Sequence, residues 1–217
     1  MVRMISCSPK GLKDAGEAIK GGKVVIYPTD TVYGIGGDPF NRETVRRIFE
    51  LKRREVKPMP VLVASREKAK GLVETDRLSL FLMDNFWPGA LTIVLRTKVR
   101  LPSQLTGGVE KLGVRMPNHN LALGLIEASG GALIGTSANI SGKNPARTVE
   151  ELDLRLVQGA DLVLDGKVPT SGIPSTVVEV MSRGRGDHVR IIREGSIGAG
   201  VIREKLLEAG MRTTGLA

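Results

Sequence analysis

The apolar run Val24-Val25-Ile26-Tyr27 stops at Pro28 and opens into Thr29-Asp30-Thr31-Val32-Tyr33-Gly34-Ile35-Gly36-Gly37. The run reads as a buried strand. Proline lacks the N–H that would continue a strand ladder, so the ladder is expected to end there. Residues 29–37 are rich in side-chain oxygens and in glycines that reach backbone angles closed to other residues. A strand ending in hydroxyls, a carboxylate and glycines is a common floor for a ligand, although the same residues also form ordinary turns. A second apolar run, residues 132–136, opens in the same way into Ser137-Ala138-Asn139-Ile140-Ser141-Gly142. Open α/β sheets bind ligands where such strands end.

Around these two runs, helical and strand patterns alternate. Ser8-Pro9 caps and starts a helix whose apolar face is Leu12, Ala15 and Ile19, and Gly21-Gly22 ends it. Asn41 caps a second helix with Val45, Ile48 and Phe49 on one face, and Ser65 caps a third after a short strand at 61–64. Further helices are expected over 76–86, 121–128, 149–157 and 202–209. Strands are expected over 91–95, 112–116, 162–164, 175–180 and 189–193, with a turn at 183–187. Residues 98–110 read as an exposed loop or hairpin. The alternation argues for an α/β sheet, and the late strands succeed one another without helices, so part of the sheet is expected to be antiparallel. No linker, repeat or low-complexity segment divides the 217 residues, so one domain over 1–217 is expected, with its core over about 8–205 and a short tail.

Lys and Arg outnumber Asp and Glu by 32 to 23, a net charge of +9. That excess points to an anionic partner such as a nucleotide, a nucleic acid or a membrane surface, or else serves solubility. Aromatic residues are 3% of the chain, too few for an extensive base-stacking platform. Cys7 is the one cysteine, so no internal disulfide forms, and with only His119 and His188 a structural zinc site is not expected. No signal-like segment opens the chain and no apolar run approaches the ~20 residues of a membrane span. A cytoplasmic protein is expected.

Neither a Walker A pattern nor a glycine fingerprint for dinucleotides is present. In their place stands the basic run Lys52-Arg53-Arg54, with Lys57 nearby. Lys52 and Arg54, two apart, share one side if the segment is extended. A guanidinium grips phosphate oxygens bidentately, and an ammonium adds a point charge. Taken alone, the run reads equally as a solvated helix end, where cations are favoured. Ser137 and Asn139 are likewise two apart. Arg115 sits inside an apolar strand, where it needs an anionic partner if its face is covered. His119 has no evident partner and is given no role.

Taken together, these segments resemble the YrdC-like threonylcarbamoyl-AMP synthases. The resemblance is carried by Tyr27-Pro28-Thr29-Asp30-Thr31-Val32-Tyr33-Gly34, by Lys52-x-Arg54, by Trp87-Pro88-Gly89-x-Leu91-Thr92, by Gly113-Val114-Arg115-Met116-Pro117, by Ser137-Ala138-Asn139 and by Pro174-Ser175-Thr176-Val177. Six motifs in this order, with a resemblance that covers residues from about 10 to 205, are far more specific than any one of them. The resemblance implies a twisted, open α/β sheet of mixed strand directions, flanked by helices, with a deep basic concave site. It implies L-threonine, bicarbonate and ATP as substrates, threonylcarbamoyl-AMP and pyrophosphate as products, and magnesium as a helper. A tRNA-modifying transferase downstream would take the product to the adenosine beside the anticodon.

The resemblance also implies residue roles. Lys52 and Arg54 would hold the ATP phosphates and carry catalysis, with Asn139, Arg147 and Arg193 also facing the nucleotide. Thr29, Arg115, Ser137 and Ser175 would surround threonine, with Arg115 on its carboxylate. Many members place proline after the lysine–arginine pair, where this chain has Glu55. The chain resembles the short form, without the linker and second domain of the long form. A related carbamoyl-adenylate activity occurs within longer hydrogenase-maturation proteins. The alternative of another class is a non-catalytic module that binds double-stranded RNA or tRNA weakly through the basic surface.

Overall fold

The computed structural model describes residues 3–53, 55, 57–167, 169–181 and 188–214. Arg54 and the turn expected at 183–187 lie outside these residues. In chain order the elements are β1 (Arg3–Ser6), α1 (Pro9–Lys20), β2 (Val25–Tyr27), β3 (Gly34–Gly36), α2 (Arg42–Lys52), β4 (Val61–Val63), α3 (Arg66–Leu72) and α4 (Arg77–Phe86). They continue with β5 (Leu91–Arg96), α5 (Ser103–Thr106), β6 (Lys111–Arg115), α6 (Asn120–Ala128), β7 (Ala132–Ile134) and β8 (Thr136–Ser137). The chain closes with α7 (Leu154–Gly159), β9 (Leu162–Asp165), β10 (Thr176–Met181), β11 (His188–Arg193), α8 (Ala199–Glu208) and β12 (Arg212–Thr214).

The caps expected from sequence are formed. Ser8 Oγ accepts from the Gly11 amide at 3.1 Å, Asn41 Oδ1 from Glu43 and Thr44 at 3.0 and 3.1 Å, and Ser65 Oγ from Lys68 at 3.2 Å. Each satisfies an N–H that the first helical turn leaves without a partner. The helix expected over 149–157 is shifted: residues 147–152 are turns and bends, and α7 starts after Asp153, whose carboxylate accepts from the Arg155 amide at 3.0 Å. An aspartate that bonds the backbone locally favours a cap over a helix interior, and it sets the later start. The stretch expected to be a loop contains α5, with Leu105 and Thr106 buried. His119, to which the sequence gives no role, is the N-cap of α6, its Nδ1 accepting from the Ala122 amide at 3.2 Å.

The mixed sheet is present as two hydrogen-bonded sets. The first runs β1-β9-β2-β3-β8, parallel over its first three strands and antiparallel beyond. The second runs β12-β11-β10-β5-β6-β4-β7 and mixes both directions. One stretch of chain belongs to both sets: β7 pairs with β4 in the second, and two residues later β8 pairs with β3 in the first. At the crossing, a Cβ on Gly36 would lie 1.9 Å from the Ile134 carbonyl oxygen, so only glycine admits the passage. The Tyr27 hydroxyl donates to the same carbonyl at 2.7 Å.

A large core holds Val24, Ile26, Tyr33, Ile48, Val61, Leu91, Ile93 and Val114, and a smaller one gathers Ile19, Val25, Tyr27, Leu125 and Leu133 beneath α1 and α6. No helix among the described residues is long and apolar enough to cross a membrane.

Within the second sheet, the Glu179 side chain is 4% exposed and pairs with both Lys111 and Arg190. Burial pushes its carboxyl up, but hydrogen bonds and charges from the two cations outweigh that and hold it below the usual range. A depressed carboxyl stabilises the fold above its unfolded pKa of about 4.3, and that contribution is lost as pH falls through the lower folded value. Glu179→Gln is expected to cost about 1–3 kcal/mol at pH 7 and to flatten the loss of stability below about pH 4.3. Urea unfolding of both proteins at neutral and acid pH reads this, and parallel stability curves would contradict it.

Candidate active site

The loop after Pro28 is locked by one hydroxyl. Thr29 Oγ1 donates to the Val32 carbonyl at 2.7 Å, accepts from the Thr31 and Val32 amides at 3.2 Å each, and meets Thr31 Oγ1 at 3.0 Å. Buried and fully committed, Thr29 holds the turn, while Thr31 lines the cavity beside it. That cavity, about 370 Å³, lies against the open face of β5, β6, β10 and β11. Alternate residues of those strands form its floor: Thr92 and Val94 from β5, Lys111, Gly113 and Arg115 from β6, and Val177 from β10, with Ser175 just before it. Thr92 Oγ1 and Ser175 Oγ lie 2.9 Å apart within the buried wall.

Arg115 has the anionic partner that its place in an apolar strand demands. Its side chain is 6% exposed, and each of its three guanidinium nitrogens donates one hydrogen bond to the described residues, which leaves two of its five N–H donors for a ligand. Nε donates to the Gly89 carbonyl at 2.9 Å, Nη1 to Thr31 Oγ1 at 3.0 Å, and Nη2 pairs with Asp30. Burial pushes the guanidinium pKa down and Asp30 offsets part of that, so the group keeps its charge. Sequence reasoning placed Asp30 within a motif without assigning it a role. The only hint was a carboxylate in the loop and an arginine wanting an anion, 85 residues apart. Arg193 reaches the same cavity from a more open position, donating to the Ser175 carbonyl at 2.7 Å. Desolvation, and then the like charge of Arg115, push its pKa down.

At Ser137 this cavity meets a second, of about 420 Å³, lined by Lys52, Arg53, Glu55, Lys57, Ser137, Asn139, Ser141 and Gly142. Ser137 Oγ donates to Asn139 Oδ1, which fixes the two side chains together. Lys52, the last residue of α2, is 1% exposed. Its ammonium donates to the Ser137 carbonyl and to the Asn139 carbonyl at 2.8 Å, with Asn139 Oδ1 at 3.5 Å. The Lys52 carbonyl accepts in turn from the Ser141 amide at 3.0 Å. Thus Lys52, Asn139, Ser137, Arg115, Ser175 and Arg193 line two adjoining cavities, whereas Thr29 and Arg147 line neither. Arg147 is exposed, and its Nε lies 3.5 Å from the Thr170 carbonyl.

The Lys52 ammonium therefore clamps residues 137–143 to the end of α2. Lys52→Met keeps an apolar stem but loses every donor. It is expected to cost about 1–3 kcal/mol, because buried carbonyls lose their partner, and to speed amide exchange across 137–143 more than across β2. Hydrogen exchange checks this, and unchanged protection of 137–143 would remove the clamp.

The chain has known relatives. The family profile described as "Telomere recombination", which groups Sua5, YciO and YrdC, matches residues 17–195. A threonylcarbamoyl-AMP synthase of Methylococcus capsulatus is 36% identical over 173 residues, covering 79% of this chain and 93% of that protein. A threonylcarbamoyl-AMP synthase of Pyrococcus abyssi is 36% identical over 171 residues, 78% of this chain but 50% of its own length. Among solved structures, P. abyssi Sua5 complexed with L-threonine superposes with a TM-score of 0.85 at 30% identity, covering 99% of this chain and 62% of that one. With the matched profile spanning both cavity-forming loops and the sheet between them, the chain belongs to the Sua5, YciO and YrdC family.

Proposed function

We propose that this chain is an L-threonylcarbamoyladenylate synthase, a nucleotidyltransferase that joins L-threonine, bicarbonate and ATP into threonylcarbamoyl-AMP and pyrophosphate. The observation that carries the reading is the junction at Ser137. On one side lies a hydroxyl-lined cavity with Arg115 and Arg193, and on the other a cavity ringed by Lys52, Arg53 and Lys57. The names of the relatives above support the activity. A small zwitterion fits the first side and a polyphosphate the second. The described lining residues of the two cavities carry six cations and one carboxylate, Glu55, which supports a basic concave site.

The reaction rests on that division. The threonine nitrogen bonds to the bicarbonate carbon with loss of water, giving a carbamate. A carbamate oxygen then attacks the α-phosphorus, the bond to the bridging oxygen breaks, and pyrophosphate leaves. An anion approaching a triphosphate needs its charge cancelled in the transition state. Arg54 and Asn139 are assigned to contacts with the phosphates, and Lys52, whose ammonium bonds the Ser137 and Asn139 carbonyls, to cancelling their charge. Arg115 takes the threonine carboxylate, and Ser137 and Ser175 sit beside the amino acid. Thr29 acts by holding Thr31, and Arg193 lies between nucleotide and amino acid. Arg147 is retained only as an outer contact to the nucleotide. Positioning of this kind supplies much of the rate.

Magnesium does not fit as a resident ion. Glu55 is the one carboxylate among the described lining residues, and no cluster of three or more His, Cys, Asp or Glu occurs among the described residues. Magnesium is assigned to the ATP substrate, with which it travels. The unstable product suits direct transfer to a tRNA-modifying transferase, in keeping with a cytoplasmic location.

The test is pyrophosphate release. It is expected to require bicarbonate and to be best with threonine, weaker with serine and nearly absent with valine. A pocket that reads a hydroxyl rejects its absence far more strongly than one methyl is discriminated. Arg115→Ala is expected to raise the threonine KM by about tenfold or more, the equivalent of one lost charge-assisted pair. Equal rates with valine and threonine would show that the hydroxyl is not read. Release indifferent to every amino acid and to bicarbonate would sink the assignment.

A further inference from the structure

Arg53 stands at the C-cap of α2 with φ 47° and ψ 42°, in the left-handed region. Its backbone N–H closes the helix end on the Phe49 and Glu50 carbonyls. Glycine or asparagine is the usual residue there, because a Cβ crowds the following carbonyl. This chain uses glycine at its other described left-handed positions, with one exception, Lys167. Lys167 is held by its surroundings: its ammonium pairs with Asp165 at 2.8 Å and its amide donates to Asp165 Oδ1 at 2.9 Å. Arg53 has no such tie. Its side chain is exposed and its guanidinium has no hydrogen-bond or ion-pair partner among the described residues. It lines the 420 Å³ cavity, with Lys52, Lys57, Ser137 and Asn139 around it. A strained backbone carrying an unpartnered cation into a cavity is a combination that stability alone disfavours.

We propose that Arg53 is a binding residue for the β- and γ-phosphates of ATP, and for the pyrophosphate they become, held at a strained position in exchange for that contact. This rests on the reading of the second cavity as the phosphate side. Lys52 spends its ammonium on the carbonyls of Ser137 and Asn139, so it lends the cavity charge while its bonds stay with the protein. Arg53 offers the planar fork that a terminal phosphate accepts bidentately. The α-phosphate and adenosine lie beyond its reach in this scheme, nearer Ser137, so the contact discriminates by phosphate number.

The experiment separates strain from charge. Arg53→Gly and Arg53→Asn both suit the left-handed backbone and both remove the cation. Each is expected to raise Tm by about 1–4 °C. Each is expected to weaken calorimetric binding of ATP and of inorganic tripolyphosphate about three- to tenfold, and AMP binding by less than about twofold. Arg53→Lys keeps the charge and the strain, so it should leave Tm near the wild-type value and recover most of the tripolyphosphate affinity. A rise in Tm with unchanged ATP and tripolyphosphate affinity would overturn the proposal, as would equal losses for AMP and ATP. The titrations contain no threonine or bicarbonate. Wild-type protein that binds triphosphates but makes no product would thus defeat the synthase reading and leave Arg53 standing. Wild-type protein that binds none of these anions would take both down.

Discussion

The two sheets are joined where one strand leaves the second and enters the first, and that passage depends on the missing Cβ of Gly36 under the Ile134 carbonyl. Any side chain there would force the strands apart. The Tyr27 hydroxyl seals the same carbonyl from below, so the crossing leaves no buried acceptor unpaired at Ile134. Ser137 emerges at the end of this strand, and for that reason it stands at the junction of both cavities. The loop after Pro28 lies across from it, since β3 pairs with β8 at Gly34 and Ser137. A packing constraint between sheets thus fixes the spacing of the two loops on which the proposed chemistry rests.

Two buried cations then divide the site, and their partners differ in a way that matters. Arg115 pairs with Asp30 and Lys111 with Glu179, so Arg193 supplies the excess charge of that cavity. Lys52 donates to neutral carbonyls, which leave its charge in place beside that of Arg53, while Lys57 shares its charge with Glu55 at 3.6 Å. Dipoles solvate an ammonium without neutralising it, and in a partly buried wall the resulting field is screened far less than on an open surface. The smaller excess of positive charge on the Arg115 side suits an amino acid, and the larger excess on the Lys52 side suits a polyphosphate. The division of labour in the proposed reaction comes from that difference, before any particular contact is invoked.

What the sequence made legible was local. Caps at Ser8, Asn41 and Ser65, the stop at Pro28 and the apolar faces of α1 and α2 all depend on neighbours within a turn or two. What it hid was non-local. β1 has four residues and acquires strand character by pairing with β9, whose Leu162 lies opposite Arg3, and β12 does so by pairing with β11. Neither carries a pattern long enough to read alone. At the site, the residue types were legible and the bonding was not. Thr29 and Thr31 are indistinguishable in a string, yet one hydroxyl is spent on the turn and the other meets Arg115 at the cavity. Asp30 shows its purpose only when β6 brings Arg115 to it. Arg53 is hidden differently, because nothing in Lys52-Arg53-Arg54 says that the middle residue turns left-handed.

The proton chemistry is set by the same inventory. Neither cavity is lined by a histidine among the described residues, and the nearby His119 uses Nδ1 as a helix cap. Burial, opposed by Asp30, pushes the His119 pKa down, so the ring is neutral at pH 7 with its acceptor nitrogen occupied. Asp30 is engaged by Arg115, and Glu55 pairs with Lys57 at 3.6 Å. A site so furnished has charge to stabilise anions but no poised base of its own among the described residues. On the proposed reading, the proton lost when threonine becomes a carbamate must leave through the substrates and solvent. The protein's contribution is then to gather two anions of unequal charge beside Ser137 and cancel the repulsion between them.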